Sequence, residues 1–222
     1  HKGPQHYADV KVLAYPSSEG NALVPRTAKD GLGNSLSVEK LLDGQLGDGT
    51  NTNRASPGRV LGVTGALQLS VRHSHGCVRS DDRVLCWGRN DYGQLGDGTT
   101  SARSVPTSVQ SLAGVSDVAV GVAHSCAIQR DGSAWCWGLN RSGELGDGTM
   151  ASRSLPAAVR TSDRFAQVAL GDQFSCGRTS AGRIACWGLN QYGQLGTAGG
   201  SQAVPSMVPG LEGALEIAAG YG

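Results

Sequence analysis

Apolar and small polar residues alternate in short runs along this chain, and from Gly44 onwards the runs recur every 50 residues. The pattern is clearest in residues 126–136, where the two types alternate on both sides of Asp131-Gly132. Such alternation is typical of a half-buried strand, and an Asp-Gly pair between two runs is typical of a hairpin turn. Residues 77–86 and 176–186 share the pattern. The sequence therefore predicts three similar β-hairpins.

Each hairpin belongs to a longer repeat. It is followed by a segment such as Gly-Gln-Leu-Gly-Asp-Gly-Thr at residues 93–99, then by a polar loop with a proline, then by a run of small residues. These runs of small residues are 115–121, 165–171 and 215–220. Four short antiparallel strands per repeat of this length are typical of a β-propeller blade. The run of small residues is expected to line the central channel, where the blades converge.

The cysteines occur in pairs within the predicted hairpins. If residues 130–132 form a three-residue loop with Gly132 in the left-handed conformation, the two cysteines of that hairpin lie directly opposite each other. Residues 180–182 give the same result, as does a two-residue turn at 81–82 or a four-residue loop around it. Opposed residues in a non-hydrogen-bonded pair lie about 4.5 Å apart between Cα atoms, close enough for a bridge. The predicted disulfides are Cys77–Cys86, Cys126–Cys136 and Cys176–Cys186.

A zinc site is the alternative use of these cysteines. His75, Cys77 and Cys86 could supply three ligands, but no fourth ligand recurs and Phe174 replaces the histidine in the third copy. We therefore favour disulfides and predict neither a metal nor another cofactor. Paired cysteines are typical of proteins outside the cytosol. We expect an extracellular or periplasmic location, with a signal sequence upstream of His1.

The composition argues against several functional classes. The 19 basic and 18 acidic residues give a net charge of +1, and no run of Lys or Arg marks a nucleic-acid binder. No apolar stretch has the roughly 18 residues that a membrane helix needs. The Asp residues of the Gly-Asp-Gly-Thr segments lack the spacing of a calcium loop, so we expect them to close tight turns. No spacing of nucleophile, base and orienting residue indicates an enzyme.

Residues 1–42 do not share the repeat and are treated as a separate leader or linker, with residues 43–222 as the repeat domain. Residues 10–15 predict one strand. Residues 9–16 and 37–44 resemble the tail of the catalytic domain in large secreted glycoside hydrolases. That resemblance raises the alternative that the repeat domain is an accessory module of such an enzyme.

The repeat text resembles a known family. Cys-Trp-Gly-x-Asn-x-x-Gly-Gln-Leu-Gly-Asp-Gly-Thr, preceded by His-x-Cys-Ala and a strand of small residues, resembles the regulator of chromosome condensation repeat over residues 44–222. The resemblance implies an all-β fold, with about three and a half four-stranded blades of an expected seven, and the cysteines look like the secreted bacterial branch. Departures include Arg72 in place of glycine, Phe174 in place of histidine, and Thr-Ala-Gly at residues 197–199.

The resemblance also implies a binding function through the variable loops at one end of the propeller. Trp87, Trp137 and Trp187 recur and are predicted to pack between blades. Trp135 does not recur, and we assign it to the face opposite Trp137, either exposed or packed between blades. The residues predicted to contact a protein partner are Asn90, Asp91, Tyr92, Trp135, Arg141, Gln191 and Tyr192.

These observations favour a non-catalytic scaffold that binds a protein partner, without nucleic acid or membrane. The alternative that the family suggests is a guanine-nucleotide exchange factor or a chromatin-binding propeller. Propeller blades bury their apolar faces only by stacking on neighbours, and residues 215–220 have no following hairpin with which to pair. We therefore expect the isolated chain to self-associate.

Overall fold

The computed structural model describes residues 46–52, 58–81 and 83–220, so the predictions for residues 1–42 lie outside the described part. Twelve strands form three four-stranded antiparallel sheets, and these residues contain no helix. The first sheet comprises β1 (Ala66–Arg72), β2 (His75–Ser80), β3 (Arg83–Gly88) and β4 (Arg103–Ser108). The second comprises β5 (Val115–Val120), β6 (His124–Gln129), β7 (Ala134–Gly138) and β8 (Arg153–Ala158). The third comprises β9 (Phe165–Leu170), β10 (Phe174–Thr179), β11 (Ile184–Gly188) and β12 (Gln202–Met207).

Strands pair in chain order within each sheet, so each sheet is one blade of a propeller. The inner strands β1, β5 and β9 contact one another and line a common cavity together with residues 216–219. This placement confirms the prediction that the runs of small residues line the channel. The outermost strands contain Pro106, Pro156 and Pro205. Proline cannot donate to a ladder and is therefore tolerated at a sheet edge.

The predicted hairpin turns are confirmed. The backbone N of Gln129 donates to the carbonyl of Ser133 at 2.9 Å, which leaves a three-residue loop in which Gly132 has a φ of 82°. The third hairpin is closed in the same way, with Gly182 at a φ of 75°. In the first hairpin Ser80 pairs with Arg83, so two residues connect the strands.

All three predicted disulfides are present. In each hairpin the two cysteines are direct register partners, with Cα atoms 4.1 Å apart. No cysteine of the chain is left free. The alternation of the strands therefore sets the cysteine pairing locally, whichever turn joins the strands.

The apolar core lies between neighbouring blades. The Cys77–Cys86 bridge shares one buried cluster with Trp137 of the next blade. The Cys126–Cys136 bridge shares the equivalent cluster with Trp187. At both of these interfaces the earlier blade thus contributes its disulfide and the following blade its tryptophan, because adjacent residues on a strand face opposite ways. The prediction that the recurring tryptophans pack between blades is confirmed for Trp137 and Trp187. Trp87 packs in a cluster with Val60 and Val63, which precede the first blade.

The assignment of Trp135 to the face opposite Trp137 is wrong. Both side chains pack against the same cluster between the first and second blades. The reason is the strand period, since residues two apart point to the same face. Trp135 is half-buried, and its Nε1 donates to Gln129 Oε1 at 2.8 Å. Of the two alternatives, packing between blades is the one observed.

Residues 215–220 do not form the predicted strand. Ile217 nevertheless occupies the place of an inner strand, because its N and O bond the side chain of Gln167 at 3.1 and 3.2 Å. Gln68 bonds Val118 in the same way. A strand also needs a backbone ladder partner, and the described residues provide none for this segment. The segment therefore packs on the third blade, with Leu215 left 91% exposed.

Candidate functional site

A buried asparagine fixes the loop that follows the third strand of each blade. Asn90 is fully buried, and its Oδ1 accepts from Leu95 N at 3.0 Å. Its Nδ2 donates to the carbonyls of Thr99 and Ser101 at 3.1 and 3.0 Å. Asn140 makes the equivalent bonds in the second loop. Asn90 therefore holds the loop from inside, and it does not lie on the surface where a partner contact was predicted.

The aspartates of the Gly-Asp-Gly-Thr segments close tight turns, as predicted. Asp97 Oδ1 accepts from Thr99 N at 2.9 Å and Thr99 Oγ1 at 2.7 Å, and its Oδ2 pairs with Arg103 at 2.8 Å. Burial alone would raise the pKa of Asp97, but these hydrogen bonds and the Arg103 charge outweigh it and lower the pKa. Asp147 has the same environment and the same shift. The carboxylates are thus committed to local bonds.

Each loop is also clamped to the next blade. The backbone carbonyl of Gln94 accepts from Ser125 Oγ and from Trp137 Nε1, both at 2.9 Å. The carbonyl of Glu144 accepts from Ser175 Oγ and Trp187 Nε1, both at 2.8 Å. Each carbonyl therefore receives two donors from the following blade, which fixes the loops relative to the sheets behind them.

Two histidine–serine pairs, missed by the sequence analysis, complete this clamp. His75 Nε2 lies 2.9 Å from Ser125 Oγ, and His124 Nε2 lies 3.0 Å from Ser175 Oγ. Because each serine donates to a backbone carbonyl, each histidine must carry its proton on Nε2 and donate it to the serine. The contacts span 50 and 51 residues, so only a repeat-to-repeat comparison of side chains could have suggested them.

These pairs consist of the same residue types as a catalytic nucleophile and its base, but their environment differs from that of a catalytic pair. All four side chains are buried. Burial, with the charge of His73, lowers the pKa of His75 to about 3. Burial lowers the pKa of His124 to about 3 as well, and the charge of Arg72 and that of His75, when it is protonated, act in the same direction. The histidines are therefore neutral, and the serine protons are held by carbonyls, so the pairs join blades.

Glu144 replaces a glutamine of the other two loops. It is fully buried, and its Oε2 accepts from Ser142 N at 2.8 Å, as Gln94 Oε1 accepts from Tyr92 N at 3.0 Å. Burial raises the pKa of Glu144, backbone hydrogen bonds act against that rise, and the charge of Asp172 adds to it. Glu144 thus sits in a position built for an uncharged side chain.

The described residues contain no group of three or more His, Cys, Asp and Glu that could hold a metal ion. No helix in the described part of the chain is long and apolar enough to cross a membrane. The hydrogen bonds and ion pairs described above hold the loops and blades together. The candidate contact surface is therefore the set of exposed loop side chains.

Five predicted contact residues lie together on the loops at one end of the blades. Asp91, Arg141 and Gln191 occupy the same loop position in successive blades, and all three are exposed. Tyr92 is half-buried, and the guanidinium carbon of Arg141 lies 5.6 Å from the centre of its ring. Tyr192 is 79% exposed. Trp135 is remote from this set, because it lies beside the hairpin turn at the opposite end of β7.

Comparison with known families agrees with this architecture. The family model described as the regulator of chromosome condensation (RCC1) repeat matches residues 81–128, 131–177 and 181–222. The chain belongs to the RCC1 repeat family. A second model of that description matches residues 115–144 and 165–194. No curated protein matches the chain.

Solved structures show the same propeller fold. Human WBSCR16 matches with a TM-score of 0.67 at 23% identity, over 75% of this chain and 46% of that protein. Yeast RCC1 (Prp20), solved bound to Kap60, matches with a TM-score of 0.67 at 18% identity, over 78% and 44%. Prp20p from Saccharomyces cerevisiae, studied with Gsp1p and histones, matches with a TM-score of 0.63 at 20% identity, over 75% and 44%. This RCC1-repeat chain therefore spans less than half the length of these propellers.

Proposed function

We propose that this chain is a non-catalytic, protein-binding part of a secreted propeller and that it contacts its partner through the loop end. The observation that carries the proposal is that each loop has a buried side chain that holds it and exposed side chains that are free to contact a partner. A buried Asn side chain holds each loop, whereas Asp91, Tyr92, Arg141, Gln191 and Tyr192 are at least partly exposed at one end. Exposed side chains on a rigid loop bind with little loss of conformational entropy.

Two further observations support the proposal. Yeast Prp20 was solved bound to Kap60, and its binding to Gsp1p and histones was studied, so a propeller of this fold binds proteins. The three disulfides suit an oxidising compartment, which favours an extracellular or periplasmic, bacterial-type protein over a nuclear exchange factor. The glycoside hydrolase alternative depends on residues 1–42, which lie outside the described part.

The test compares the two ends of the propeller. The oxidised chain is cross-linked to extracellular or periplasmic protein, and captured partners are measured for three baits. The first bait is the unaltered chain. The loop-end bait carries Asp91→Ala, Arg141→Ala and Tyr192→Ala, and the control bait carries Asp131→Ala and Arg164→Ala at the hairpin-turn end. We expect the loop-end changes to abolish capture and the control changes to leave it intact. Loss of capture only in the control bait would place binding at the other end.

A further inference from the structure

Arg141 is held in place by a contact between two blades. Its guanidinium carbon lies 5.6 Å from the ring centre of Tyr92 on the preceding blade, within the usual cation–π range. The backbone of Tyr92 is itself fixed, because its N donates to Oε1 of the buried Gln94 at 3.0 Å. The ring therefore stands on a fixed point of the loop backbone, and the cation–π contact places the guanidinium over it.

Arg141 differs from the other loop arginines in its charge partner. Arg89 pairs with Asp91 at 2.5 Å, Arg103 with Asp97 at 2.8 Å and Arg153 with Asp147 at 3.0 Å. Within the described part of the chain, no carboxylate lies within ion-pair distance of Arg141. Its equivalents in the neighbouring blades are Asp91, already paired, and the uncharged Gln191.

We propose that Arg141, supported by Tyr92, binds a carboxylate side chain of the partner protein; this inference rests on the proposed function. A guanidinium stacked on a ring keeps its N–H edge in the plane of the group, where it can donate two parallel bonds to one carboxylate. On the adjacent loop, Arg89 contacts the carboxylate of Asp91 through Nε and Nη2, both at 2.5 Å from Oδ2. Tyr92 acts as the positioning residue and Arg141 as the contact.

The test uses two probes, acetyl-Gly-Glu-Tyr-Glu-Gly-amide and its counterpart with Gln in place of Glu. Each is titrated into the ¹⁵N-labelled chain, and the Nε–Hε signals of the arginines are followed by NMR. We expect the signal of Arg141 to shift saturably with the glutamate peptide only. Arg164, exposed at the hairpin-turn end, is the internal control and should stay in place. Equal shifts with both peptides, or equal shifts of Arg141 and Arg164, would overturn the proposal.

Variants separate contact from support. Binding of the glutamate peptide, followed through the backbone amides of residues 139–143, should weaken about three- to fivefold in R141Q, the upper part of the range for an exposed ion pair. Y92F keeps the ring and should match the unaltered chain, whereas Y92A should weaken binding. R164Q should have no effect. Unchanged affinity in R141Q would refute the contact, and unchanged affinity in Y92A would refute the support.

The failure of this inference is distinguishable from the failure of the proposed function. If the loop-end bait loses its partner but a bait with R141Q alone retains it, the carboxylate contact is wrong and the binding end is right. If capture depends on the hairpin-turn end, the proposed function is wrong whatever the peptides do.

Discussion

Acidification should destabilise this chain through its two buried histidines. His75 and His124 are neutral in the folded state, with a pKa lowered from the ordinary 6.5 to about 3 by burial and by nearby positive charge. In the unfolded chain both titrate near 6.5. The folded pKa lies below the unfolded pKa, so the unfolded state binds more protons as the pH falls. Stability is therefore complete above pH 6.5 and is lost as the pH falls towards 3.

The magnitude follows from proton linkage. Between pH 7.5 and pH 5.0, one histidine that protonates only when unfolded lowers the free energy of unfolding by about 2 kcal/mol. This value changes little for any folded pKa below about 4, because the folded histidine is then neutral throughout the interval. The two histidines together account for about 4 kcal/mol, a large share of the stability of an ordinary domain.

The third blade supplies a matched variant. Phe174 takes the place of the histidine there and packs on Gly171, as His124 packs on Gly121. His124→Phe should therefore fold, with Ser175 still donating to the Glu144 carbonyl. Urea unfolding, followed by the fluorescence of the buried tryptophans, is measured at pH 7.5 and pH 5.0. The variant should lose about 2 kcal/mol less than the unaltered chain over this interval. An equal loss in both proteins would refute the reasoning.

Four further predictions follow. Glu144→Gln should stabilise the chain at pH 7.5 and not at pH 4, which thermal melts at both pH values would show. The folded pKa of Glu144 is raised, so the stability that the Glu144 carboxyl contributes is lost as the pH rises through the folded pKa. Asp97→Asn should cost about 1–3 kcal/mol, because Thr99 and Arg103 lose a charged acceptor, whereas the exposed Asp91→Asn should cost far less; urea unfolding compares the two. Replacing Cys126 and Cys136 with serine should lower the free energy of unfolding by about 3 kcal/mol, from the loop entropy that the bridge removes. Mass spectrometry of the unaltered chain, alkylated without prior reduction, should find no modified thiol. The isolated chain should run as an oligomer in light scattering and bind a hydrophobic dye, and a dye-free monomer would contradict that expectation.

Recurrence in the sequence carried information that separates structural from variable positions. Asn90, Asn140 and Asn190 recur in every loop, and all three side chains are buried. The next position changes from Asp91 to Arg141 to Gln191, and all three are exposed. Recurrence therefore indicated that Asn90 holds the loop. The prediction that Asn90 contacts a partner did not take this recurrence into account.

The sequence by itself determined what lies within one repeat. The period, the hairpins and the disulfides follow from alternation and turn chemistry, because a strand register is set by residues about ten apart along the chain. The position of the small-residue runs at the channel followed from size alone, since only small side chains fit where blades converge.

Only the tertiary structure decided which residues of different repeats contact each other. The His124–Ser175 bond, the Arg141–Tyr92 contact and the two donors on the Gln94 carbonyl join residues 31 to 51 positions apart. The distance and angle between neighbouring blades bring these atoms together, and that geometry depends on how whole apolar faces pack. No local pattern encodes it, because each partner has the same immediate sequence context whether or not the other is within reach.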